Sequence, residues 1–154
     1  MTKTHITPDD KHVPLDINRA DIIEQVRAAF ERYQKAQAEQ DLEALDHLFW
    51  DSEQTIRFGM RETVWGKSAI RQFRGTRHRP TAAGRIEHLS IATFGDSFGA
   101  MTASFRRSDV EAGLGRWTQT WVRFDDGWKI VATHVSPAPD ETPTENEPTD
   151  PHIR

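Results

Sequence analysis

The chain of 154 residues has no cysteine, which excludes disulfides, thiolate zinc sites and a cysteine nucleophile and fits a reducing compartment. It has no apolar run long enough to predict a transmembrane helix. The first residues, MTKTHITPDDKHVPLD, lack the apolar stretch of a signal peptide, so the expected location is the cytoplasm. No HExxH pair, glycine-rich phosphate loop or GxSxG elbow occurs. The histidines at 5, 12, 47, 78, 88, 134 and 152 are dispersed without metal-ligand spacing, so neither a metal nor a cofactor is expected. No carboxylate stands out as a general base; Asp41 and Asp46 read as helix caps or surface.

Charge of one sign is also scarce. The net charge of −4 comes from residues 137–154, where Asp140, Glu141, Glu145, Glu147 and Asp150 stand against Arg154, −5 + 1 = −4. The rest is neutral, so nucleic acid and anionic membranes are poor partners.

The polar residues 1–15, with Pro8 and Pro14, read as a loose arm, and 137–154, rich in Pro, Glu and Thr, as a flexible acidic tail with too little apolar surface to offset ordering entropy. Between them, 16–136 is one domain's worth of chain. Asp16 or Asn18 is placed to cap a first helix whose stripe is Ile22, Val26, Ala29, Phe30 and Tyr33. Asp41 is placed to cap a second, with Leu42, Leu45, Leu48 and Phe49 on its buried face. Short strands follow near Thr55–Phe58 and Thr63–Trp65, then a helix capped by Ser68. Four strands complete the domain, paired through turns at Gly95-Asp96 and Asp125-Asp126-Gly127. Helices early and an antiparallel meander late predict an α+β fold, with helices on one face of a curved sheet.

The most informative stretch is TIRFGMRETVWGKSAIRQFRGTR, 55–77, with arginines at 57, 61, 71, 74 and 77. Helical spacing puts Ile70, Phe73, Arg74 and Arg77 on one face. Guanidinium groups beside apolar residues suit a cavity that takes an anion, since arginine is seldom buried unpaired and its fork matches carboxylates. The plain alternative is ion pairing of Arg74 and Arg77 with Glu62, Asp46 or Glu87. Arg57 alternates with Ile56 and Phe58 and is either solvated or the polar feature of a pocket. Tyr33, the only tyrosine, is either core or a phenol aimed into a cavity.

In the last hairpin, strict alternation puts Trp128, Ile130, Ala132, His134 and Ser136 on one face, so His134 and Ser136 are candidates at a pocket mouth; the alternative for His134 is a sheet-edge histidine bonded to a carbonyl. A three-residue loop turns Thr118, Thr120, Val122 and Phe124 inward, whereas a two-residue loop turns Trp117, Gln119 and Trp121 inward. The first is favoured because it matches apolar to apolar.

These elements, ending in GWKIVATHVS, resemble the cone-shaped fold of ketosteroid isomerases, scytalone dehydratase and nuclear transport factor two (NTF2, the SnoaL-like superfamily). More narrowly, LFW (48–50), TIRFG (55–59), Glu62, Gly66, Ile70, FRGTR (73–77), Arg85, QTWVR (119–123) and GWKIVATHVS (127–136) resemble the AtzH/HpxZ-like family over about residues 17–136. The resemblance implies a small cytoplasmic protein acting beside amidase-signature hydrolases in ureido-compound breakdown. In one branch it implies conversion of 1,3-dicarboxyurea to allophanate, a decarboxylating amidohydrolase step. The helix-1 tyrosine and the strand arginine of that family match Tyr33 and Arg57 here, with Arg74, Arg77, His134 and Ser136 as substrate-binding candidates.

The competing readings are a non-catalytic small-anion-binding or accessory protein that partners an amidase, and an isomerase- or dehydratase-like enzyme on an apolar substrate. The arginine-rich stretch and the lack of an Asp base argue against the last. Apolar residues left on the outer sheet face, Ile56 and Phe58 with some of Trp117, Trp121, Val131 and Val135, lead to the expectation of a homodimer.

Overall fold

The computed structural model describes residues 14–76, 84–107 and 113–138. The amino-terminal arm up to residue 13 and the tail from residue 139 lie outside them. The order is α1 (Ala20–Glu39), α2 (Leu42–His47), β1 (Ile56–Phe58), β2 (Thr63–Trp65), α3 (Lys67–Gly75), β3 (Gly84–Phe94), β4 (Phe98–Arg107), β5 (Leu114–Phe124) and β6 (Gly127–Pro137). The strands form one curved sheet in the order β2-β1-β6-β5-β4-β3. Neighbours are antiparallel except β1 and β6, which run parallel. This is the α+β architecture expected, with helices over the concave face.

The α1 stripe buries Ile22, Val26, Ala29, Phe30, Tyr33 and Ala36. It meets Met101, Ala103, Trp117, Trp121 and Ile130 from the sheet in one core. Phe30 packs edge-on against Trp117 at 5.1 Å between centroids. The helix also crosses directly over β4, where a Cβ on Gly99 would lie 2.8 Å from a Val26 methyl. Asp41 caps α2 as expected, its Oδ1 accepting from the Ala44 N–H at 3.0 Å.

Two other caps differ from expectation. Arg19 holds the N-cap position of α1 without a side-chain bond. Asn18 instead sits at φ 56° and exchanges hydrogen bonds with the Thr93 backbone, at 2.9 and 3.0 Å, fixing the chain to the end of β3. Gly66, not Ser68, stands at the N-cap of α3, at φ 83°.

The last hairpin corrects two further expectations. Phe124 pairs with Gly127, so the loop is Asp125-Asp126 and the inward residues of β5 are Trp117, Gln119 and Trp121. On β6, Trp121 pairs with Ile130 but Thr120 pairs with Ala132, which leaves Val131 as a bulge. The extra residue inverts the alternation beyond it. Trp128 and Ile130 face inward, and then Thr133 and Val135 do, instead of Ala132, His134 and Ser136.

Candidate functional site

The concave face carries a polar row within an otherwise apolar core. Arg57 on β1 pairs laterally with Thr133 on β6, and Thr133 with Gln119 on β5. All three are buried, whereas Ile56 and Phe58 on the opposite face of β1 are only half-buried. The arginine of the short strand therefore points under the helices.

Its counter-ion comes from the β1–β2 turn. The Gly59 N–H donates to the Glu62 carbonyl at 2.8 Å, and the Glu62 carboxylate folds back to accept from Arg57 Nη1. A Cβ on Gly59 would collide with that carboxylate, so the glycine is what lets it reach. The Arg57 guanidinium also lies over the Phe73 ring, 4.9 Å from its centroid. Burial pushes the Arg57 pKa below its ordinary value and the nearby Arg74 charge acts the same way, while the Glu62 hydrogen bond and Tyr33 oppose them.

Arg74, on the inward face of α3, is buried beside it. Its Nη2 donates to the Tyr33 oxygen at 2.9 Å, and its guanidinium lies 5.2 Å from the Phe49 ring centroid. Among the described residues no carboxylate pairs with it, and its Nε has no hydrogen-bond partner. The carboxylates that sequence offered are engaged elsewhere: Glu62 with Arg57, Asp46 with Lys67, and Glu87 with Arg85 and Arg106. Among the described residues, then, one of the two buried cations has a carboxylate partner and the other has none.

Tyr33 accepts from Arg74 and also from Gln37 Nε2, one helical turn on, at 3.1 Å. A phenol oxygen has two acceptor positions and one proton. Both acceptor positions are filled, and no described residue takes the proton. An open groove of about 1050 Å³ between α2 and α3 is lined by Phe49, Ile70 and Arg74 among others.

The structure therefore brings Tyr33, Arg57 and Arg74 together. Arg77 lies outside the described residues. His134 and Ser136 are on the convex face, where the bulge at Val131 puts them; His134 is exposed and edge-on to Phe58 at 5.8 Å. Sequence reasoning did not place Glu62, Gln37, Thr133 or Gln119 in the site. The i,i+4 spacing of Tyr33 and Gln37 was a usable signal, as was the inward position of Gln119 in the two-residue-loop register. Among the described residues no group of three or more histidines and carboxylates is placed to hold a metal ion, and no helix is long and apolar enough to cross a membrane.

The family model of the AtzH-like proteins matches residues 15–141. The chain belongs to the AtzH-like family. Two solved structures are similar to this AtzH-like protein over most of its length. A protein of cystatin-like fold from Burkholderia xenovorans is 38% identical, covering 80% of this chain and 96% of that one, with a TM-score of 0.75. A DUF3225-family protein of unknown function from Pectobacterium atrosepticum is also 38% identical at the same coverages, with a TM-score of 0.76. An NTF2-like protein from Pseudomonas putida, 19% identical over 81% of this chain and 99% of that one, has a TM-score of 0.66 and shares the fold. No functionally curated protein matches the chain.

Proposed function

We propose that this AtzH-like protein is a decarboxylating amidohydrolase-type enzyme acting on a small dicarboxylated urea, converting 1,3-dicarboxyurea to allophanate. The observation that carries the reading is Arg74, a buried guanidinium with no carboxylate partner among the described residues. A buried unpaired cation is costly, and an anionic ligand relieves that cost. Arg57 beside it offers a second positive group, already oriented by Glu62.

The chemistry fits what surrounds the two arginines. In the reaction one terminal C–N bond breaks, its electron pair stays on nitrogen, carbon dioxide leaves, and the nitrogen takes one proton. Tyr33, with both acceptor positions filled and its proton unused, is suited to donate that proton. General acid assistance of this kind contributes about 10²–10⁴-fold. The groove between α2 and α3 gives solvent a route to Arg74.

The test is a coupled assay in which an amidase supplies 1,3-dicarboxyurea and allophanate formation is compared with the uncatalysed rate. A large acceleration that Arg57→Ala abolishes supports the enzyme. No acceleration, with small dicarboxylates still bound, replaces it by an anion-binding accessory protein.

For assembly we propose a homodimer, through a narrower patch than the sequence suggested because Trp117 and Trp121 face inward. Phe58 meets Trp65, which is 59% exposed, at 5.5 Å between ring centroids on the convex face. Light scattering at micromolar concentration should give twice the chain mass, and Trp65→Glu should give the chain mass. A wild-type monomer refutes this.

A further inference from the structure

Gln119 carries a donor that the fold does not use. Its side chain is 2% exposed, and its Nε2 has no hydrogen-bond partner. The orientation of the amide is enforced: Oε1 accepts from the Trp121 indole N–H at 3.1 Å, and an indole nitrogen can only donate. Nε2, with both its protons, is therefore the end left over. An amide donor left unsatisfied in a buried position is costly unless something accepts from it.

Its position says what that acceptor is. Gln119 stands in the same lateral row as Arg57, separated from it by Thr133, so the two backbones are about 10 Å apart. Thr133 has its one proton spent, accepting from Trp117 Nε1 at 3.3 Å and donating to the Thr118 carbonyl at 3.2 Å. Within the row the two residues with something to offer a ligand are thus a cation and, two strands away, a neutral donor. A ligand held by a carboxylate at Arg57 and reaching along the row toward Gln119 would meet an amide that can bond only to an acceptor oxygen.

We propose that Gln119 Nε2 is the donor that recognises the carbonyl oxygen bridging the two carboxylates of the ligand. It makes the site selective for carbonyl-bridged dicarboxylates over plain alkyl dicarboxylates. This rests on the small-dianion reading above and adds to it the residue that tells one dianion from another. Gln119 is a specificity residue in this account and takes no part in proton transfer.

Two dianions separate the possibilities, one of them a β-keto acid that is prepared fresh and titrated before it decarboxylates. 3-Oxoglutarate has the carbon–oxygen skeleton of dicarboxyurea with methylenes for the nitrogens, and glutarate is the same molecule without the carbonyl. Their dissociation constants are measured on the full chain by titration calorimetry, with thermal unfolding of each variant as a folding control. The wild type is expected to bind 3-oxoglutarate about tenfold more tightly than glutarate, matching one hydrogen bond of ordinary strength. Gln119→Met should erase that ratio while leaving glutarate binding within about twofold. Gln119→Leu, which also removes both donors without adding a charge, should erase it as well and serves if the methionine variant does not fold. Equal wild-type affinities, or a ratio that survives both substitutions, overturn the role of Gln119 and leave the anion site standing. If the wild type binds neither compound, the dianion reading falls and takes this inference with it.

Discussion

Arg74 Nη2 donates to the Tyr33 oxygen at 2.9 Å, across 41 positions of sequence, and its guanidinium rests against the Phe49 ring where a carboxylate would ordinarily be found. The contact joins α3 to α1 and occupies one of the two acceptor positions of the phenol. Tyr33→Phe should lower turnover of dicarboxyurea by about 10²-fold or more, while anion binding through Arg57 persists. It should also cost about 1–3 kcal/mol of stability, because Arg74 and Gln37 both lose their acceptor. Steady-state kinetics and urea unfolding check the two parts, and full turnover by the variant would remove the phenol from the mechanism.

The lack of a counter-ion for Arg74 among the described residues predicts a conflict between stability and function. Arg74→Met keeps much of the apolar stem and removes an uncompensated buried charge. Substitutions of this kind are often neutral or stabilising, here by about 1–2 kcal/mol. Anion affinity should fall at least tenfold. A variant that is less stable yet still binds would mean that Arg74 is structural.

Gly59 tests how Arg57 is held. Gly59→Ala places a methyl where the Glu62 carboxylate now lies, so the carboxylate must move. The expected result is a loss of about 1–3 kcal/mol, with a larger fall in activity than in stability because Arg57 loses its orientation. Glu62→Gln should share the activity loss. An alanine variant with wild-type kinetics would show that the turn does not position the arginine.

Glu87 sets a pH dependence away from the site. The Arg106 hydrogen bond, with that of Arg85, holds its carboxyl below the ordinary glutamate range despite the opposing effect of burial. A folded-state pKa below the unfolded value gives stability that is present above about pH 4.3 and lost as pH falls through the folded value. Urea midpoints followed into the acid range should decline, and Glu87→Gln should make that decline shallower. The difference should stay below about 1 kcal/mol, since the pair is largely at the surface.

Much of the fold was written locally. The stripe from Ile22 to Tyr33, the Asp41 cap and the turn at Gly95 depend on residues a few positions apart, and such signals survive without tertiary context. The inward face of α3, with Ile70 and Arg74 one turn apart, was legible for the same reason. Tyr33 and Arg57 could be singled out from residue type and resemblance, but whether they met could not.

The sequence by itself determined the helices, the order of elements along the chain and the supply of arginines, because periodicity and turn chemistry act over short range. Only the tertiary structure decided which side chains face the helices. A two-residue loop turned Gln119 inward, and one bulged residue, Val131, sent His134 and Ser136 to the opposite face. In a strand, side chains alternate with a period of two, so a single extra or missing residue reverses everything beyond it. That choice rests on packing against α1, far away in sequence. The contact of Arg74 with Tyr33, in place of any carboxylate among the described residues, follows from the same closure.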